Sequence, residues 1–459
     1  MSDSARVHLQ RWALILCALW LGGCATYIDT LSKTHQVVSS GNYDAGINQL
    51  NDILGVGSYE QIPDDWTAHR PLAALERAML LQAQNQYEWS ARDLSAAETE
   101  LEFLDLKLDT AGNIGKYIYN DSAEVYKAQP TERLALNALN MLNYMAMDNL
   151  EGAGVEARRF TIAREYLQSL DQDEAEGSHG AFGSYLSGFV FEKLGEPDRA
   201  LRYYEEALDA GNLEAFREPV LRLYGQGNYA GSKLKKYLNE FGASDPREIQ
   251  SPSSSSESDG EILVILGLGR VPYKIPKRMP IGSAVGYAGI WVTGNADILS
   301  YSAFKVVVYP ELVEPSKRFT KATINLGGRN LPVELLTDLG AEVSREYETI
   351  KPKIIGAALT RMIARAAAAE GTRALARKKG SGAALLAALA TEATLVGLDK
   401  PDTRSWTFLP ARIYVCRAKV PSGLNEIRVG LTGRTQETRV IQVDVPKGGF
   451  RVVVVTVPR

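Results

Sequence analysis

The chain changes its hydrophobic period near the middle. Up to residue 243 apolar positions recur every three or four residues, the spacing that gives a helix one apolar face. From residue 261 they come in short runs bounded by glycine and proline, which read as strands. The change falls at Ser244-Asp245-Pro246 through Ser251-Pro252-Ser253-Ser254-Ser255-Ser256-Glu257-Ser258-Asp259-Gly260, a Ser-rich, acidic stretch with almost no apolar side chain. Such a composition cannot offset its ordering entropy, so 244–260 is expected to be a flexible linker. The fold class expected is α+β in two domains, helical over 24–243 and β-rich over 261–459.

In the helical half, Gly188, Phe191, Gly195, Ala200, Tyr204, Ala207 and Leu208 stand at offsets that resemble a tetratricopeptide repeat. Small residues at Gly188, Ala200 and Ala207 let two antiparallel helices approach, Gly195 permits the turn, and Phe191, Tyr204 and Leu208 fill the space between them. Pro197 suits the first turn of the second helix, where its missing amide hydrogen costs nothing. Similar offsets recur at Gly41, Tyr43, Gly46, Leu50, Ile53 and Leu54, and at Asn85, Tyr87, Ser90, Leu94 and Ala97. With a helix pair over Ala135 to Phe160, these predict an N-terminal α-solenoid of roughly four hairpins, enough for repeats to stabilise one another.

Strands are predicted at Glu261–Leu266, Phe304–Tyr309, Ala322–Leu326, Arg412–Cys416, Asn425–Leu431, Thr438–Val445 and Gly449–Val457. The last is β-branched enough to read as a central strand. Between them, Ile354–Lys379 and Ser381–Leu398 are Ala-rich and broken at Gly380-Ser381-Gly382, which predicts a helical hairpin inserted at about 354–398. Its uncharged stretch is too short to span a bilayer, which takes about 20 apolar residues. A soluble packed hairpin is the expectation, with an interfacial or oligomerising one as the other reading.

At the N-terminus, Arg6 and Arg11 precede the apolar run Trp12 to Leu21, which closes on Leu21-Gly22-Gly23-Cys24. This resembles a bacterial lipobox, implying a signal peptide over 1–23 and a mature chain that starts with acylated Cys24. Ala25 rather than aspartate follows, which by resemblance to sorted Gram-negative lipoproteins favours the outer membrane, periplasmic face. Several acyl chains anchor firmly where one anchors marginally, so the chain would sit on a membrane without crossing it.

Removing 1–23, which carry Arg6, Arg11 and Asp3, takes the formal net charge from -4 to -5. A mildly acidic chain has no general affinity for nucleic acid or anionic lipid. After processing only His35, His69 and His179 remain, all before the linker, so the β half has no histidine for a Ser-His-Asp triad or a His-ligated zinc. Gly267-Leu268-Gly269 is followed by Arg270-Val271-Pro272 and fails both phosphate-loop patterns. Asp171, Asp173, Glu174 and Glu176 depart from the EF-hand pattern and read as an acidic inter-repeat loop. No catalytic residue, metal or cofactor is expected; the chain reads as a non-enzyme.

Partner-binding candidates remain. Glu156, Arg158 and Arg159 are the polar residues of an otherwise buried-looking helix pair, and form either a salt-bridged seam or a binding surface. Asp402-Thr403-Arg404-Ser405-Trp406 reads as a loop leading into the strand near Arg412, with Trp406 plugging the sheet edge or, with Arg404, anchoring a partner. Glu132-Arg133, Leu136, the Asn143-Tyr144 to Arg158-Arg159 pair, Asp402 to Trp406 and Leu409-Pro410-Ala411 together resemble a family of uncharacterised bacterial outer-membrane lipoproteins with helical repeats and a C-terminal β domain. The resemblance implies a periplasmic, non-enzymatic role near cell-wall synthesis. The function expected is a lipid-anchored scaffold whose repeats present a concave surface to an envelope protein. The alternative is an oligomerising component of an outer-membrane export or surface-structure assembly.

Overall fold

The structure is a computed structural model and describes residues 26–103, 126–170, 180–208, 211, 213–240, 259–289, 306–378 and 401–459. Cys24, the linker over 244–258, the acidic loop from Asp171 to Glu176 and the second Ala-rich arm, Ser381–Leu398, lie outside the described residues. Helix and sheet are both extensive, so the chain is α+β.

Among the described residues the first half pairs into four helical hairpins, followed by two shorter helices that both pack on the last of them. The hairpins are α1 (Tyr27–Ser40) with α2 (Tyr43–Leu54), α3 (Arg70–Ala83) with α4 (Tyr87–Glu100), α5 (Pro130–Ala146) with α6 (Leu150–Leu170), and α7 (Ala181–Lys193) with α8 (Pro197–Ala207); α9 (Glu214–Tyr224) and α10 (Ser232–Glu240) lie against α8. The spacing in the sequence misses these two, which carry few of the small residues that mark the others. Gly195 turns between α7 and α8 at φ 75°, and Pro197 opens α8. A Cβ on Gly188 would sit 2.7 Å from the Tyr204 ring, so the close approach of α7 and α8 needs glycine there.

The first helices, α3, α5 and α7, are buried almost all round, whereas α4, α6 and α8 keep exposed faces. A helix buried all round must be covered all round. One side is covered by the second helices and the other by the second half of the chain.

Besides a short parallel pair in the first half, β1 (Glu102–Phe103) with β2 (Lys127–Ala128), the described strands lie in the second half, which holds two four-stranded sheets. The inner one runs β12 (Phe450–Val457), β3 (Asp259–Leu268), β9 (Arg412–Pro421), β8 (Glu334–Asp338); the outer runs β11 (Gln436–Val445), β10 (Gly423–Gly433), β6 (Phe319–Leu326), β7 (Arg329–Leu331). In β3, Ile262, Val264, Leu266 and Leu268 point into the sandwich, while Leu263 and Ile265 point at the helices. Both faces are dry, which is why this strand reads as an unbroken apolar run. β12 is the same: Val453, Val455 and Val457 face the outer sheet, Val452 and Val454 face α3 and α5. The expectation of a central strand is thus corrected. β12 is an edge strand of its sheet, and its β-branched pattern reflects burial on both faces.

One core cluster therefore runs through Leu72, Leu139, Phe189, Leu263, Val454 and Trp406, with residues from both sides of 244–258. Asp259 and Gly260, expected in the linker, already pair with Pro421 and Val420 as the start of β3. A separate hairpin, β4 (Tyr273–Pro280) with β5 (Val306–Val313), packs with α11 (Ile281–Ala288) and α12 (Leu339–Lys378) in a satellite cluster. α12 starts well before Ile354, because Leu339, Val343, Tyr347 and Ile350 already put one buried face at helical spacing.

Charge ties the halves together. Glu192 of α7 accepts from Arg417 of β9 at 2.6 Å, from Arg222 of α9 at 2.5 Å and from Tyr204 at 2.6 Å. Glu261 of β3 accepts from Arg417 and Lys193. Burial would raise both acids, yet Arg417 and Lys193 outweigh it and hold them below their ordinary value, Glu261 at about 2. Two further carboxylates of the second half cap helices of the first: Glu334 accepts the Glu214 and Ala215 amides at 2.8 and 3.0 Å, and Glu346 the Thr131 amide at 2.9 Å.

Candidate functional site

Two places gather the residues singled out in the sequence, one outside and one inside. The outer one is the free face of α6. Its buried face is Ala153, Ala157, Phe160 and Ala163. Packing is close there, since a Cβ on Gly152 would meet the Tyr144 ring at 2.6 Å. On the other side Val155, Ile162 and Tyr166, seven and eleven residues along, point to solvent with 41%, 68% and 45% of their surface exposed. Arg158 and Arg159 lie on the same exposed side.

Beside that row, a groove of about 750 Å³ opens between α4, α5 and α6, lined by Glu98, Thr99, Arg133, Arg159, Ile162 and Tyr166. Its floor is ionic. Glu98 pairs with Arg133 at 2.7 Å and with Arg159 at 3.3 Å, and Arg159 also pairs with Glu156 at 3.0 Å. Asn137 donates to both Glu98 and Glu156, at 2.9 and 3.0 Å. Burial pushes the Glu156 carboxyl up, against the pull of Asn137 and Arg159. Glu156 and Arg159 are therefore part of a seam between hairpins, as one reading of the sequence has it, and the seam lies at the bottom of an open groove. Arg158 is exposed beyond it.

The inner place overturns an expectation. Arg404 and Trp406, candidates for anchoring an outside partner, are 1% and 0% exposed. Their segment is held by the helices of the same chain. Trp406 donates its amide to Glu132 at 2.8 Å and its indole N–H to the Leu75 carbonyl at 3.1 Å. The next two amides, of Thr407 and Phe408, go to the two oxygens of Glu76 at 2.6 and 2.7 Å. His35 Nε2 meets Thr407 Oγ1 at 2.7 Å. Trp406 plugs α3 and α5 and not a sheet edge. Arg404 holds Asp402 through Nε and Nη2 at 2.9 and 2.7 Å and lies over the Tyr126 ring. The Asp402 carboxylate also accepts the Arg404 amide, at 3.0 Å.

The electrostatics there follow from burial. The Glu76 carboxyl is pushed up to about 8 by burial, against the Thr407 and Phe408 amides. His35 is pushed down to about 3 by burial and then by Arg270, so its ring is neutral. Burial would raise Asp402, but the Arg404 hydrogen bonds and charge outweigh it and lower it.

Among the described residues no group of three or more His, Cys, Asp or Glu could hold a metal ion, and no helix is long and apolar enough to cross a membrane. Sequence reasoning missed Glu76, Glu98, Ile162 and Tyr166, and had Glu132 only among the residues of the family resemblance. Glu76 carried a signal, a carboxylate within an otherwise mostly apolar helix, whose bonding partners Thr407 and Phe408 lie far away in the chain. Compared with family models, with curated proteins and with solved structures, the chain matches none.

Proposed function

We propose that the protein is an outer-membrane-anchored periplasmic lipoprotein acting as a non-enzymatic protein-binding scaffold in cell-envelope assembly, and that its partner docks on the free face of α6. The observation that carries this reading is the row Val155, Ile162 and Tyr166, solvent-exposed beside a groove with arginines at its floor and rim. Exposed apolar side chains in line, rimmed by charge, are the makings of a protein-binding surface. The helical hairpins are read as an α-solenoid whose inner side is filled by the chain's own sheet and its Trp406 segment. The outer side of the stack is what remains for a partner. The Leu21–Cys24 motif supports the membrane anchor, and the Asp402–Trp406 resemblance supports the envelope setting.

Deleting the helical half would expose the shared core, so point variants are the proper test. Crosslinking in the intact envelope, followed by mass spectrometry, should yield one defined protein with the wild type. Ile162→Asp should lose that protein while leaving the melting temperature unchanged, because that side chain is 68% exposed already. Equal capture by the variant refutes the assignment.

A further inference from the structure

The two sheets of the sandwich present four edges, and three of them are protected. β7 is only three residues long. β8 carries a register shift at Leu335/Thr337, and its Glu334 is bound to the start of α9. β12 lies against α3 and α5, and Tyr87 donates to the Val454 carbonyl at 3.4 Å. β11 shares none of these three devices; its inward charges, Glu437 and Arg439, are already paired within the chain. It is ten residues long, about 34 Å of strand, and pairs with β10 without a register shift from Gly423/Val445 to Thr432/Gln436. It contains no proline and no lysine. Among the described residues no hydrogen bond reaches its outer edge.

A regular edge of this length, unpaired among the described residues and with its inward charges satisfied, is a template for another strand. The side chains say which one. Outward on the exposed face stand Gln436, Thr438, Val440, Gln442 and Asp444, with Val440 55% exposed. Inward, Glu437 is already paired with Arg439 at 2.9 Å and with Arg459. An antiparallel copy of β11 related by a two-fold axis at Val440 would set Val440 against itself, Thr438 against Gln442, Gln436 against Asp444, Arg439 against Ile441 and Glu437 against Val443. No like charges meet in that register. An in-register parallel copy would oppose Glu437, Arg439 and Asp444 each to its own kind.

We propose that β11 is a homodimer interface, joining two chains edge to edge into one continuous eight-stranded sheet with Val440 on the two-fold axis. This goes beyond the scaffold reading and does not depend on it: the free face of α6 belongs to the helices, so Ile162→Asp should leave the dimer intact.

Sedimentation of the full chain in density-matched detergent, over a concentration series, tests the pairing. The wild type should be a dimer at the upper end. Val440→Lys and Val440→Glu should each raise the dissociation constant about tenfold or more by opposing like charges, with the melting temperature of the monomer unchanged. An equal mixture of the two variants should restore the dimer, because Lys then faces Glu. A wild type that stays monomeric throughout overturns the proposal. So does a dimer indifferent to Val440→Lys, or a mixture no tighter than the single variants.

Discussion

Trp406→Ala is the sharpest perturbation of the arrangement described above. The side chain has no exposed surface and fills the space between α3 and α5, while its indole N–H holds the Leu75 carbonyl at 3.1 Å. Truncating a buried large aromatic costs about 3–5 kcal/mol, and the lost hydrogen bond adds about 1 kcal/mol. At about 1.4 kcal/mol per factor of ten, amides that exchange only by global opening should exchange about a thousandfold faster or more. Hydrogen exchange read by mass spectrometry distinguishes two outcomes. If the helices and the inner sheet share one core, α3, α5, β9 and β12 should lose protection together, although Trp406 belongs to the second half alone. Faster exchange confined to the sheets, with α3 and α5 still protected, would refute the shared core and restore two independently stable halves. Trp406→Phe should recover much of the protection but not the part due to the indole bond.

Two other outcomes follow from particular groups. Glu76 has its folded value raised from 4.5 to about 8, so its stabilising contribution is complete below 4.5 and is lost as pH rises through about 8. Melting temperature should therefore fall with pH across that window, at no more than about 1.4 kcal/mol per unit, and Glu76→Gln should flatten the slope; a slope unchanged in the variant would clear Glu76 of responsibility. Gly188→Ala brings a Cβ within 2.7 Å of the Tyr204 ring, which cannot retreat because its hydroxyl is tied to Glu192 and Arg417. Overpacking of about 1–3 kcal/mol outweighs the better helix propensity of alanine, at most about 1 kcal/mol, so the melting temperature should drop; a rise would show that α7 and α8 can move apart.

What could be read along the chain was whatever depends on near neighbours. The helix pair at Gly188 to Leu208, the turn and helix over Asn85 to Ala97, the turn at Gly195, and strands such as Glu261–Leu266 and Arg412–Cys416 all follow from local spacing, because period and turn chemistry act over a few residues. The salt-bridged seam at Glu156 and Arg159 was legible for the same reason, one helical turn being enough to bring them together. Only the tertiary structure decided what covers each face. A run like Val452–Val455 looks the same whether it sits mid-sheet or at an edge beneath helices, since side chains record dryness and not the order of strands. Arg404 and Trp406 look the same as anchors for a stranger or for the chain's own helices, since a large aromatic and a guanidinium serve both. Which it is depends on Glu76 and Glu132, hundreds of residues away, and no local pattern spans that distance.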